Sequence, residues 1–353
     1  MADFKYVESL VNSEDMLGFI KEEVTGFVQY PHNTVAGDTP VTNKWAVEKE
    51  TLTAGKVSEL ILRGECTIGE ALPRTKVVYL RLLNPVFTDT TKHSQLTVQT
   101  LDGKVGQTFT EEGPPVLFEW ARHILGADRN RLSSVYVYLS LTNNRLCLAN
   151  TGDPAVSFTD YRKSFMYAGV LTPFKFNEDD VTGNFVVTAG AVTAEPTNAQ
   201  LITRNEYFGE NTSPGNNSLQ MFQTKSFVRF QKHYPAFITQ APPHGMAFVD
   251  NQLGNTGLVM DAQGFQASRW TGKYHMSPIY VVHSFEGYRG VLEKVVAVAK
   301  HNILHLDDLI VDVEGKNHKQ EVYRFFDTNT EQNFMNFSAN VRMGVAVLKE
   351  YRY

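Results

Sequence analysis

The sequence predicts a mainly β (α+β) protein, built as antiparallel β-sandwich or barrel-like domains with a few short helices. Three observations carry this. The run Ser133-Ser134-Val135-Tyr136-Val137-Tyr138-Leu139-Ser140-Leu141-Thr142, then Asn143-Asn144, then Arg145-Leu146-Cys147-Leu148 reads as strand, turn, strand. Short β-branched or alternating apolar runs of the same kind recur along most of the chain. Phe at 23 and Tyr at 15 in 353 residues are generous, and aromatics favour strands and subunit contacts.

Taken in order, the first element is a helix after Asn12-Ser13-Glu14-Asp15. Asn12 or Ser13 can cap free backbone N–H groups, and the early acids suit the positive end of the helix dipole. Met16, Leu17, Ile20, Val24 and Phe27 share one face at helical spacing. Tyr30-Pro31 then stops the helix. Strands follow at Lys76 to Leu83 and Gln95 to Thr100. A second helix is expected from Pro115 to Leu125, with Gly126 as its left-handed terminator and Leu117, Trp120, Ala121, Ile124 and Leu125 as its buried stripe. His123 beside that stripe reads as a packed or surface histidine.

In the hairpin, Val135, Val137, Leu139 and Leu141 share one face, and Asn143-Asn144 can supply the positive φ angles of a tight turn. Further strands are expected at Asn184 to Thr188, Gln200 to Phe208, Leu219 to Phe230, Pro278 to His283, Asp308 to Val313, Glu321 to Phe326 and Gly344 to Arg352. Glu314-Gly315-Lys316-Asn317 joins two of these as a hairpin turn. Gly290 to Lys300 fits either helix or strand, and its valine density makes it extended. Two polar loops, 209–218 and 250–257, are rich in Gly and Asn. The polar break Asn177-Glu178-Asp179-Asp180 suggests two domains. One is 1–176, β-rich with the N-terminal helix and the helix near 115–125; the other is 177–353, β-rich with the long polar loops.

The composition bounds the function. A net charge of −5 argues against a broad basic surface for nucleic acid. Cys66 and Cys147 imply no disulfide framework and read as small buried residues. There is no basic start followed by an apolar run, so no secretion signal is expected. No apolar stretch approaches the ~20 residues of a membrane span.

Motifs with chemistry are scarce. No phosphate loop, dinucleotide fingerprint or serine-hydrolase elbow stands in the chain. His301 and His305 with Asp307 and Asp308 make the best metal candidate, provided the segment is helical. Surface or subunit-contact histidines are the default reading. The acids at 178–180 lack the spacing and glycine of a calcium loop. No catalytic residue, metal or cofactor is therefore expected, and the chain reads as not an enzyme. Paired carboxylates of a glycosidase can be far apart in sequence. The alternative function is accordingly a β-sandwich enzyme or carbohydrate-binding module acting on a cell-surface polymer.

The most distinctive block is Asp160-Tyr161-Arg162-Lys163-Ser164-Phe165-Met166-Tyr167-Ala168-Gly169. It sets Arg162 and Lys163 beside aromatics and Met166. Such interleaving can stack and hold single-stranded nucleic acid, but it also describes a protein–protein contact, and the negative charge favours the contact. Tyr161, Arg162, Lys163, Phe165, Met166 and Tyr167 are the candidate interface residues. The C-terminal Lys349-Glu350-Tyr351-Arg352-Tyr353 is expected to be tied down in a sheet or against a neighbour.

The stretch from Ser134 to Phe174 resembles virion structural proteins of tailed bacteriophages with contractile tails. It runs a Tyr-rich strand, Leu-Thr-Asn-Asn-Arg, Thr-Gly-Asp-Pro, and then the aromatic and basic block. Gly287-Tyr288-Arg289-Gly290 and the short strands after it are similar to phage virion and tail components. The resemblance covers the middle and end of the chain. It implies a non-enzymatic part of a capsid, neck, tail or baseplate, assembled in the host cytoplasm. The implied partners are copies of the chain in a symmetric homo-oligomer and other virion proteins, with no membrane and nucleic acid disfavoured.

Overall fold

The computed structural model describes residues 4–25, 28–29, 41–42, 45–68, 74–87, 95–105, 108–112, 116–120, 134–152, 164–173, 185–191, 220–223, 237–240, 276–283, 287–299, 303–315, 319–327 and 343–353. The described residues are mostly strand, paired antiparallel, with a single α-helix among them. The chain divides into two compact units: Met1–Ala191 with Met221–Lys232, and Val192–Gln220 with His233–Tyr353. The polar break at 177–180 lies outside the described residues.

In the first unit the chain opens on strand β1 (Phe4–Asn12), a 3-10 turn (Ser13–Asp15) and helix α1 (Met16–Thr25). The helix buries Met16, Leu17, Ile20 and Val24, four of the five residues expected on its inner face. Phe27 and the Tyr30-Pro31 stop lie outside the described residues. Asn12 makes no side-chain cap; its Oδ1 instead accepts from Ser134 Oγ at 2.8 Å. Two short strands, β2 (Val28–Gln29) and β3 (Val41–Thr42), pair with each other.

Next come β4 (Trp45–Thr53), β5 (Lys56–Ile68), β6 (Arg74–Leu83), a 3-10 turn (Pro85–Phe87), β7 (Gln95–Val105), β8 (Thr108–Glu112) and β9 (Val116–Glu119). They form one sheet in the order β4-β5-β6-β7-β8, with β9 also on β7. The β4–β5 turn places Ala54 at φ 51° and Gly55 at φ 79°. These are the paired left-handed residues of a tight hairpin.

A helix was expected where β9 lies. The segment pairs antiparallel with β7, Phe118 opposite Leu96 and Val116 opposite Val98. Phe118 and Trp120, two residues apart, are both buried with ring centroids 6.1 Å apart. That is the period of a strand, and the open side of β7 supplies the hydrogen bonds a short helix would have had to make internally. Residues 121–133 lie outside the described residues.

The second sheet of this unit runs β1-β10-β11-β12-β13, with β10 at Ser134–Thr142, β11 at Arg145–Gly152, β12 at Ser164–Pro173 and β13 at Phe185–Ala191. The two sheets share one apolar core. Val135, Val137, Leu139, Leu141, Leu146, Leu148, Met166 and Ala168 supply one side. Leu60, Leu62, Leu80, Leu82, Leu96, Val98 and Phe118 supply the other, and α1 adds its buried face. The expected face of the hairpin is therefore the core face.

Strand β14 (Gln220–Gln223) falls where the two units meet in sequence. The second unit contains β15 (Phe237–Gln240), β16 (Met276–His283), β17 (Gly287–Ala299), β18 (Asp308–Asp312), β19 (Gln320–Asp327) and β20 (Met343–Arg352). Their order is β15-β16-β17-β20-β19-β18. The ambiguous segment at 290–300 is thus extended through Ala299. Gly315 takes φ 72° in the β18–β19 connection, and Val313 N–H donates to Lys319 O at 2.9 Å beside it. The C-terminus is held as expected: β20 pairs with both β17 and β19. The expected strand at Gln200 to Phe208 and both polar loops lie outside the described residues.

Candidate functional site

The hairpin turn at 142–145 is where the first unit concentrates its buried polar groups. Expected to turn on left-handed asparagines, it does not: among the described non-glycine residues positive φ occurs at Ala54, Lys294 and Leu306. The turn is made by Thr142 instead. Its hydroxyl accepts from the backbone N–H of Asn144 and of Arg145, each at 3.1 Å. A hydroxyl bonded to its own backbone two and three residues on closes a turn without left-handed geometry.

That geometry frees Asn144 to reach the other sheet. Its Oδ1 accepts from Thr67 N–H at 3.0 Å and its Nδ2 donates to Thr67 O at 3.1 Å. The amide side chain thus extends the β5 backbone ladder by one mimic of a residue. Asn144 O also accepts from Val170 N–H at 2.9 Å. Alongside, Trp45 Nε1 donates to Thr142 O at 2.9 Å. Trp45 lies over Gly64, where an added Cβ would stand 2.8 Å from the indole.

Arg145 completes the cluster and has no solvent exposure. Its Nη1 donates to Ser140 O and Ser140 Oγ at 3.1 Å and to Cys147 Sγ at 3.2 Å. Across the ladder it faces Gly169, where an added Cβ would stand 2.7 Å from Arg145 Cα and 2.8 Å from Asn144 O. A buried guanidinium costs much desolvation unless several acceptors meet it. Chemically the cluster fixes the relative position of two sheets, because Trp45 and Thr67 of one sheet bond to Thr142 and Asn144 at the turn of the other.

The candidate interface residues divide. Phe165, Met166 and Tyr167 are buried in β12, and Tyr167 Oη donates to Val170 O at 2.5 Å. Tyr161, Arg162 and Lys163 lie outside the described residues. Cys66 and Cys147 are both free and buried. Asn144 was legible in sequence as a turn residue but not as a bridge between sheets, and Trp45, Thr67 and Gly64 carried no signal. Only proximity in the fold connects them.

In the second unit, His305 lies in a turn rather than a helix. Leu306 has φ 70°, and Leu304 N–H donates to Asp307 Oδ2 at 2.7 Å. The His305 ring stands edge-on to Phe326, centroids 6.2 Å apart. Asp308 is paired with Lys349 at 2.7 Å and Arg324 at 3.3 Å. His301 and the acids at 178–180 lie outside the described residues. Among the described residues no three or more His, Cys, Asp or Glu side chains gather to hold a metal, and no helix is long and apolar enough to cross a membrane.

A second charged cluster sits on β17 and β19. Lys294 takes φ 54° inside a strand, and its Nζ meets the buried Glu321 at 2.5 Å. Tyr323 Oη donates to the same carboxylate at 2.5 Å, and the ammonium lies 5.9 Å from the Tyr351 ring centroid. No protein-family model matches this chain, and no curated protein matches it either.

Proposed function

We propose that this chain is a non-enzymatic structural subunit of a virion of the contractile-tailed bacteriophage kind, acting through self-association and contacts to other virion proteins. The observation that carries the reading is the destination of the buried polar groups. Thr142, Asn144, Arg145 and Trp45 bond to the backbone and side chains of the fold itself, as befits a part that must be rigid. Large apolar side chains meanwhile stand in solvent at strand edges and turns: Leu10, Leu52, Leu304 and Ile310. Exposed apolar groups of this kind favour contact with another protein surface when they gather in patches. The resemblance of residues 134–174 to virion proteins supports the finer assignment.

The test is the native mass of the purified chain by light scattering, with negative-stain imaging. A ring, tube or other closed oligomer is the expected result. A stable monomer at tens of micromolar, combined with hydrolysis of a cell-surface polymer, would replace this reading with the enzyme alternative.

A further inference from the structure

Two edge strands of the first unit differ in kind. β4 is broken by register shifts at Val47/Lys49 and Thr51/Leu52. Its Glu48, Lys49 and Glu50 are held in ion pairs with Lys104, Glu59 and Lys21. Bulges and charges of this sort blunt an edge against further pairing. β1 has no bulge, although Lys5 in it pairs with Glu23 and Glu8 is exposed. It matches β10 over nine consecutive positions without a shift, and among the described residues no second strand pairs with it. Leu10 lies directly opposite Tyr136, the two being 53% and 38% exposed.

We infer that β1 is the seam at which a second copy of this chain adds, antiparallel, about a two-fold axis at Val7. The inference rests on the self-associating role proposed above and names its contact. A two-fold axis normal to a sheet keeps each face on its own side, so partners across the seam share parity. For Phe4-Lys5-Tyr6-Val7-Glu8-Ser9-Leu10 the axis at Val7 sets Phe4 opposite Leu10 of the other copy, Lys5 opposite Ser9, and Tyr6 opposite Glu8. The exposed leucine is covered by an aromatic ring. The Tyr6 hydroxyl, which donates to its own Glu8 at 3.0 Å, gains a second carboxylate within reach.

Neighbouring registers are worse. An axis at Glu8 or at Lys5 brings like charges face to face, and one at Tyr6 or Ser9 sets Glu8 against Phe4 or Leu10. Like charges directly opposite destabilise a sheet, whereas apolar and complementary pairs stabilise it. The same test excludes β18 as a self-pairing edge, since an axis at its centre, Ile310, sets Asp308 against Asp312.

The experiment is a cross-linking trap in the full chain. Val7→Cys should form a covalent dimer on mild oxidation or with a short bis-maleimide, because residue 7 meets itself. The native Cys66 and Cys147 are buried. Ser9→Cys alone should not cross-link, but should do so when co-expressed with Lys5→Cys. Leu10→Lys should weaken the dimer about tenfold or more, two contacts being lost per interface. If Leu10→Lys misfolds, the Val7→Cys trap still decides. An oligomer that traps Ser9→Cys with itself as readily as Val7→Cys overturns the seam and leaves the structural role standing. An untrappable monomer overturns both.

Discussion

Gly169 lies directly opposite Arg145 in the β11–β12 ladder, and the arginine backbone occupies the space a side chain at 169 would need. Glycine there does not supply a special backbone angle. It supplies an absence, which lets Asn144 O approach closely enough to accept from Val170 N–H at 2.9 Å.

Gly169→Ala should therefore destabilise the first unit by about 2 kcal/mol, since the added methyl meets backbone rather than a yielding side-chain tip. Gly18→Ala is the contrast. Gly18 lies in α1 with nothing near its absent Cβ, so alanine should stabilise by about 0.5–1 kcal/mol. Urea melts of both variants check the pair. Equal effects would show that the Arg145 contact is not the cause.

Asn144→Ala should cost about 1–3 kcal/mol, because both Thr67 backbone groups lose their partner at once. Asn144→Asp keeps the acceptor and loses the donor, and it sets a carboxylate against Thr67 O. It should be at least as damaging at neutral pH and recover partly in acid. Thermal melts at two pH values distinguish the variants.

Trp45→Phe removes the bond to Thr142 O while keeping most of the apolar ring. A loss of about 1–2 kcal/mol is expected, combining one hydrogen bond and a small cavity. Gly64→Ala should be the more harmful of the two, as its methyl would press on the indole. Near-ultraviolet circular dichroism reports whether the tryptophan environment is kept.

Glu59 should govern part of the acid stability. Burial pushes its carboxyl up, but hydrogen bonds from Lys49 and Thr51 and the charges of Arg81 and Lys49 together outweigh that and hold it below the usual glutamate range. The folded state therefore binds the proton less readily than the unfolded chain. The stabilisation is present above the unfolded value of about 4.3 and is lost as pH falls through the lower folded value. Glu59→Gln should flatten the stability-versus-pH curve below about pH 4.3 while lowering the plateau at pH 7. An unchanged acid limb would rule the carboxylate out.

Lys294 holds a left-handed backbone angle and the buried Glu321 at once. Lys294→Ala should destabilise strongly by leaving that carboxylate with fewer partners. Lys294→Gly should cost about 1 kcal/mol less than Lys294→Ala, because glycine adopts the same φ without strain. The difference between the two melts isolates the backbone term from the ion pair.

The sequence by itself determined the β class, the inner face of the 135–148 hairpin, the inner face of α1, and strands β16 to β20. All of these rest on local periodicity, two residues in the strands and three to four in the helix. It misread 116–119, because Leu117, Trp120, Ala121, Ile124 and Leu125 fit a helical stripe, and only the free side of β7 decided between helix and strand there. It also misread the turn, naming Asn143 and Asn144 as left-handed where a threonine hydroxyl closes the loop. The link from Asn144 to Thr67, 77 positions apart in the chain, and the place of Gly169 under Arg145 were settled by tertiary structure alone. Such contacts depend on which strands become neighbours, and no spacing within one segment records that.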